Sequence, residues 1–589
     1  MTSNEKQTQF TQLIHKLSAT TPSSWDDINQ LLTQVRNRAS TSEQLTREAF
    51  VRRFAQGTSF LTFDYGIDGV SIEISKYARA LEGFYEAFDG KPLHFIGGDF
   101  YPQADSVLEA DWRRLQIDGI NGWSKWHQGR WFAKLFYEDM PENSTRSAEL
   151  SGEIFRQAVS IAERLGDYLI KHDIALLIPV NIASNPGNLA LAVAFVLVTE
   201  SLGLYVINSN HDFYWEGGKP PTERKSEDPP GVRDHFFRNV DNQSFFHLFK
   251  RLYPWNGRHW LQVNINRLQS DRLVQDLGFP REKVFELSTS VSDKFFEDYT
   301  QEDVKQARLR MGYILSDGEP ILHSIPVDDH LANLADWMGG QKPCFLGARA
   351  GLSLDPTSET LIYLLQPTRV IARKRIERNL FLIRALLEHS PFFNTFEKDE
   401  RRQLVLHITG PTPIEHQADL EEVLHAYQDV VRSAPQTVAD RIFLAFSVGN
   451  EDHPAFHDAG LQRMTIEDIY RMASAVVFPS ETEGRGLPIV EASASMVPLI
   501  CSRYRPFEVF SAVVGEDLAD EHQIRYTHFP EGDFSPAFLD EVTTVLLHPE
   551  EIQPRLQHNR SVVRHRYSTS ALRETFVKLV EALGADVIR

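Results

Sequence analysis

Two glutamates, Glu483 and Glu491, stand with seven residues between them, and Gly484, Gly486, Leu487 and Pro488 fall in that gap. The preceding "ASAVVFPS" reads as a buried strand, and the residues that follow read as a small-residue helix. Pro488 suits the first turn of a helix, where its missing N–H costs nothing. The glycines let backbone approach a ligand closely. A helix N-terminus offers free amides and partial positive charge to a phosphate. Glu483 can then bond neutral hydroxyls beside that phosphate, and Glu491 can take a hydroxyl pair such as that of a ribose. From the spacing alone, a plain strand-to-helix turn with two solvated carboxylates fits as well.

Three more groups follow predicted strands. In "QPTRVIARKRIE", Arg369 and Lys374 have four residues between them, and two cations on a loop suit a diphosphate leaving group. A solvated basic loop is the alternative. In "NSNHDFYWEGG", His211 and Asp212 end a strand, and Phe213, Tyr214, Trp215 and Glu216 follow. Polar groups for hydroxyls beside aromatic faces for C–H surfaces suit a sugar, and so does a capped strand end with a satisfied histidine. Gly66 and Gly69 form a G-x-x-G on the first strand-to-helix turn, without the dinucleotide pattern. There is no Asp-x-Asp, no His-Glu-x-x-His and no P-loop.

The elements that must hold these groups are α/β throughout. Predicted strands and helices alternate from residue 59 to about 216 and again from 361 onward, and the strands are apolar on both faces, as in a doubly wound parallel sheet. Residues 1–55 look helical, and 571–589 read as a terminal helix able to pack back on the first domain. Between the domains, 301–360 shows no repeating unit and reads as an insertion or connector. Two such domains place ligands at the carboxyl ends of their strands.

With 589 residues, the chain suits two large domains. A formal charge of −20 argues against non-specific nucleic-acid binding. Two cysteines, Cys344 and Cys501, make no disulfide framework or cysteine metal site. The polar N-terminus lacks a signal-peptide core, and the longest apolar run, 189–198, is half a membrane span. A soluble cytoplasmic protein is expected; peripheral membrane contact stays open, and oligomeric state is not legible.

The stretch "IYRMASAVVFPSETEGRGLPIVEASASMVPLICS" resembles the nucleotide-sugar signature of retaining glycosyltransferases of family 4, which have the GT-B fold of two Rossmann-like domains facing across a cleft. Arg485 stands where that family commonly has an aromatic residue, and Ser493, Ser495 and Met496 where it commonly has methionine, alanine and glycine. The resemblance implies domains over 56–300 (acceptor side) and 361–570 (donor side). It assigns Arg369 and Lys374 to the diphosphate and His211 to the donor sugar. Glu483 falls beside the hexose, and Arg485, Gly486, Leu487 and Glu491, with Gly66 and Gly69, near the rest of the donor. Asp212, Trp215 and Glu216 fall on the acceptor side. The implied activity is retaining transfer of a hexose from a nucleoside-diphosphate sugar to a hydroxyl acceptor, with no metal or other cofactor. Another GT-B activity, such as a phosphorylase or nucleotide-sugar epimerase, or a non-catalytic sugar-binding protein, are the alternatives.

Overall fold

The computed structural model of the chain describes residues 3–36, 44–66, 68–122, 134–135, 138–216, 239, 241–287, 289–340, 342–412, 416–447 and 452–588. Gly217 and Gly218, the end of the "NSNHDFYWEGG" motif, lie outside the described residues. The chain divides into two units, Met1–Thr289 with Leu572–Arg589, and Ser290–Ala571.

The first unit is built on seven strands: β1 Thr58–Leu61, β2 His94–Gly97, β3 Arg113–Gln116, β4 Leu176–Pro179, β5 Tyr205–Asn210, β6 Trp260–Asn264 and β7 Val284–Glu286. All neighbours are parallel, in the order β3-β2-β1-β4-β5-β6-β7. Successive strand residues point to opposite faces. Leu61, Ile96, Leu177 and Val206 enter one core with helices Ser3–Ser18, Trp25–Arg36, Thr145–Lys171 and Leu189–Leu202. Phe60, Phe95, Ile178 and Ile207 enter the other with helices Arg47–Gln56 and Gly69–Tyr85 and the C-terminal Phe576, Leu579 and Leu583. The apolar run at 189–198 is thus a buried core helix, and no helix among the described residues is long and apolar enough to cross a membrane.

Three of these strands are not evident from the sequence, for separate reasons. β3 is an exposed polar edge, Arg-Arg-Leu-Gln. β6 buries Gln262 and Asn264, whose side-chain oxygens accept from Asn208 and Asn210 of β5 at 2.8–3.2 Å and whose amide nitrogens donate to Trp255 O and Ser270 Oγ. β7 is only three residues long.

The main sheet of the second unit has eight strands among the described residues: β8 Ile325–Pro326, β9 Cys344–Gly347, β10 Leu361–Gln366, β11 Gln403–Ile408, β12 Ile442–Phe446, β13 Ala475–Phe478, β14 Leu499–Cys501 and β15 Thr527–His528. Their order is β8-β9-β12-β11-β10-β13-β14-β15. Within this sheet the β9–β12 pair is antiparallel and the other neighbours are parallel. The segment 301–360, expected as an insertion or connector, supplies β8 and β9 to this sheet and a capped helix, Gln301–Leu315, to its core. β9 is four buried residues inside glycine-rich flanks, too short to show a period.

Both units are therefore α/β, doubly wound and Rossmann-like, and in each the strand order reverses between two neighbours. In the first unit these are β1 and β4; in the second, β10 and β13. The helix after β10, Glu377–Glu388, and the helix after β13, Leu487–Ala494, enter different cores, so their connecting loops diverge and open a crevice.

His407 lies wholly inside β11, bonded to Tyr363 Oη at 2.7 Å and Ser447 Oγ at 2.8 Å. Burial pulls its pKa down to about 3. Below the unfolded value of about 6.5, the unfolded chain binds a proton that the folded chain refuses, so stability falls as pH falls, by about 1.4 kcal/mol per pH unit for this group. Denaturant unfolding between pH 6.5 and 4 is expected to show a shallower acid slope by that amount in His407→Gln, although the variant is less stable at pH 7. An unchanged slope would mean that His407 titrates freely in the folded protein.

Candidate functional site

The crevice of the second unit holds the donor-side residues named from the sequence. Gln366, at the end of β10, is buried; it accepts from Asn379 Nδ2 at 2.8 Å and donates to Thr368 Oγ1 at 2.7 Å. Val370 N–H donates to Pro411 O at 3.1 Å, tying the β10 loop to the loop after β11. Gly410 makes this close approach workable: a Cβ there would sit 2.2 Å from Thr368 O and 2.4 Å from the Arg369 nitrogen. The result is an exposed Arg369 whose guanidinium makes no ion pair among the described residues.

Lys374 ends the short turn Ala372–Lys374, which Asp419 fixes by accepting from Ala372 N–H at 2.8 Å. Its ammonium is bonded to the Glu483 carboxylate, and the two side chains are only 8% and 9% exposed. Burial pushes the lysine below its ordinary pKa, against the opposing pull of Glu483 and with help from the nearby charges of Arg373 and Arg369.

The Glu483 loop is clamped from two sides. Glu481 N–H donates to Arg373 O at 2.8 Å, and Arg373 Nη1 donates to Thr482 O at 3.0 Å. On the other side, Glu483 N–H donates to Arg505 O at 3.0 Å, and Arg505 N–H to Glu481 O at 2.7 Å. Gly486 caps the following helix in the left-handed conformation, φ +64°, ψ +38°. Any Cβ there would meet Tyr504 Oη at 2.2 Å. Leu487 and Pro488 open the helix, so its N-terminal amides face the loop that carries Arg485. Glu491 is the fifth helical residue, and its Oε2 accepts from the buried Tyr470 hydroxyl at 2.5 Å. Burial, then the charge of Glu491, raises the Tyr470 pKa and keeps it a donor. At the helix end Met496 has φ +56°, a conformation that glycine adopts without strain.

The first unit sets its candidates on a different frame. Asn181, just past β4, has φ +64° and is 5% exposed. Its Oδ1 accepts from His211 N–H at 2.9 Å and Asp212 N–H at 3.0 Å, while its Nδ2 donates to Asp212 Oδ2 at 3.1 Å. This amide fixes the turn at which β5 ends. The aromatic residues beyond it serve the fold: Trp215 stacks on Phe213 at 4.1 Å, and Arg272 lies over its ring at 4.8 Å. Glu216 accepts from Phe213 N–H at 2.7 Å and from Gln269 Nε2 at 2.8 Å. The half-buried Trp215 and the exposed Glu216 thus brace the loop, whereas His211 and Asp212 stand at the strand end. Gly66 is buried and donates its N–H to Ser71 Oγ at 3.1 Å, and Asp68 caps the helix that begins at Gly69. A Cβ at Gly69 would meet nothing within 4 Å, so packing does not require that glycine.

Spacing alone pointed to neither Tyr470, Tyr504, Gly410 nor Asn181. Tyr470 is 21 residues from Glu491, and the helix-to-strand pattern between them carries no sign of the contact.

Residues 393–511 match the family model described as glycosyl transferases group 1, about the central part of the second unit. No curated protein matches the sequence. Among solved structures, a glycosyltransferase from Rickettsia africae is similar at 9% identity and a TM-score of 0.49, covering 90% of this chain and 98% of its own. The Anabaena protein HepE in complex with UDP-glucose gives 9% and 0.48, with 89% and 99% covered. The sucrose-phosphate synthase from Thermosynechococcus elongatus gives 13% and 0.46, with 90% and 99% covered. TM-scores below 0.5 leave the reading of the site to its own geometry.

Thermal unfolding tests the two close approaches. Gly486→Ala combines a left-handed φ, worth about 1–2 kcal/mol, with a clash, and Gly410→Ala drives a methyl group into backbone. Both are expected to lower Tm by several degrees, and Gly69→Ala to leave it unchanged. A Gly486→Ala protein as stable as the parent would remove the constraint assigned to Tyr504.

Proposed function

We propose that this chain is a retaining glycosyltransferase of the GT-B kind, moving a hexose from a nucleoside-diphosphate sugar to a hydroxyl acceptor. The observation that carries the reading is the convergence, at one switch point, of Arg369, the buried Lys374–Glu483 pair and the N-terminus of the Leu487–Ala494 helix. The group 1 match over 393–511 supports it.

In this reading the diphosphate is neutralised by Arg369, Lys374 and the helix amides. Fixed cations and amides aimed at developing charge lower a barrier without reorganising. Lys374 spans two roles: it bonds Glu483 and faces the leaving group. As the glycosidic bond breaks, the sugar becomes oxocarbenium-like, and the adjacent Glu483 carboxylate stabilises that positive charge while ordering the hexose hydroxyls. Glu491, oriented by Tyr470, takes the nucleoside hydroxyls, with Arg485, Gly486 and Leu487 lining the donor. His211 bonds the transferred sugar and Asp212 the acceptor. The Gly66–Gly69 turn of the first unit is also assigned to the donor, and its open side at Gly69 suits a ligand. The acceptor oxygen attacks on the face from which the diphosphate departs, and the proton it loses goes to the leaving phosphate. A metal has no step in this scheme, and the cytoplasm is its proposed location.

Arg369 is the clean test of the clamp, because Lys374→Ala would strand a buried carboxylate at a cost of about 3–5 kcal/mol. Arg369→Ala is expected to reduce turnover about a hundredfold in a normally folded protein. Glu483→Gln keeps an acceptor for Lys374 but loses its charge, so kcat falls while free nucleotide still binds. Glu491→Gln and Tyr470→Phe raise KM for the donor and change kcat less, since the nucleoside is unaltered in the reaction. Steady-state kinetics with varied donor and calorimetry with UDP, GDP and ADP check this. Nucleotide binding abolished by Glu483→Gln but spared by Glu491→Gln would reverse the two roles.

Activity is also expected to survive saturating EDTA, because the cationic side chains carry the leaving-group charge. Complete loss restored by magnesium or manganese would overturn the metal-independent scheme.

A further inference from the structure

Behind the Glu483 loop, on the side of β14 and β15, lies a cleft of about 170 Å3 that has no part in the scheme above. Its lining includes Arg375, Arg378, Arg503 and Arg505 against two carboxylates, Glu481 and Glu531. The arginines differ in what they have left to offer. Arg378 spends its N–H groups on the carbonyls of Pro530, Glu531 and Gly532, and so forms wall. Arg375 and Arg503 are each held by one carboxylate, Glu377 at 2.7 Å and Glu516 at 2.8 Å. A guanidinium has five N–H donors, so both keep donors to spare. Arg505 is exposed, and its guanidinium makes no hydrogen bond or ion pair among the described residues. Its backbone is nonetheless fixed by the bonds to Glu481 and Glu483 described above.

A second, independent observation comes from Ser480. It lines the cleft, is 0% exposed, and its Oγ has no hydrogen-bond partner among the described residues. The neighbouring Ser502 hydroxyl instead donates to the carbonyls of Phe478 and Ser480. A buried polar group left without a partner is costly and calls for an explanation such as a ligand.

We infer that this cleft binds a small phosphate monoester that carries hydroxyl groups. The guanidiniums of Arg505, Arg503 and Arg375 suit the phosphate oxygens, since arginine matches phosphate geometry in bidentate fashion. Glu481 and Glu531 accept from the ligand's hydroxyls, and Ser480 Oγ completes the set. The volume is similar to the ~150 Å3 of a cavity that admits benzene, enough for a phosphate bearing a few carbons. This inference stands apart from the transferase reading, because none of these side chains is assigned there.

Calorimetry on the full chain with glycerol 3-phosphate, inorganic phosphate and glycerol tests it. Glycerol 3-phosphate is expected to bind one site, at least tenfold more tightly than inorganic phosphate, and glycerol not at all. Arg505→Gln and Ser480→Ala each weaken that binding about tenfold, and Arg369→Ala leaves it unchanged. Both cleft substitutions spare the fold: Arg505 is exposed, and Ser480→Ala removes a hydroxyl without partners, so Tm holds or rises. Binding unchanged in both cleft variants, loss in Arg369→Ala instead, or no binding of glycerol 3-phosphate at millimolar concentration would overturn the site. Equal affinity for inorganic phosphate would overturn the ester assignment.

Discussion

A buried ammonium cannot stand alone, and neither can a buried carboxylate. The ion pair between Lys374 and Glu483 joins the loop after β10 to the loop after β13, which lie 109 residues apart in sequence. Each charge alone would carry a desolvation cost of several kcal/mol, so each is held in place by its need for the other. The two loops must therefore meet at one point, and that point is where the strand order reverses.

The surrounding backbone makes the meeting rigid. Arg373 and Arg505 bond the Glu481–Glu483 segment from opposite sides, and Tyr504 sits close enough to Gly486 to exclude any side chain there. Gly410 admits the Thr368–Arg369 backbone in the same way. The Lys374 ammonium and the helix start are thus held in a fixed geometry. Preorganisation of this kind matters more than charge count, because a flexible cation spends part of its interaction energy on being ordered. Tyr470 does the same for Glu491 through a single bond from the core.

The first unit reaches an ordered loop by other means. There a polar ladder of Asn208, Asn210, Gln262 and Asn264 runs inside the sheet, and Asn181 in a left-handed turn receives both amides at the end of β5. Aromatic residues that look from the sequence like a sugar platform, Phe213 and Trp215, stack on each other and steady the same loop. Both units order these loops, by different chemistry.

Much of the architecture is legible in the sequence because its cause is local. Long apolar strands such as Leu361–Gln366, and the strand–glycine–proline–helix passage at 475–494, declare their state through burial period and φ preference. The types and spacing of Arg369, Lys374, Glu483 and Glu491 also mark a charged loop and a helix start. What tertiary structure alone decided are the partnerships. The assignment of 301–360 to the second sheet rests on β9 pairing with β12, about a hundred residues on. The joining of Lys374 to Glu483, the hold of Tyr470 on Glu491, and the contacts of Trp215 with Arg272 and of Glu216 with Gln269 are equally non-local. Spacing can say which groups stand at a strand's end. It cannot say which of them burial will oblige to pair, because that cost depends on what the folded chain brings alongside.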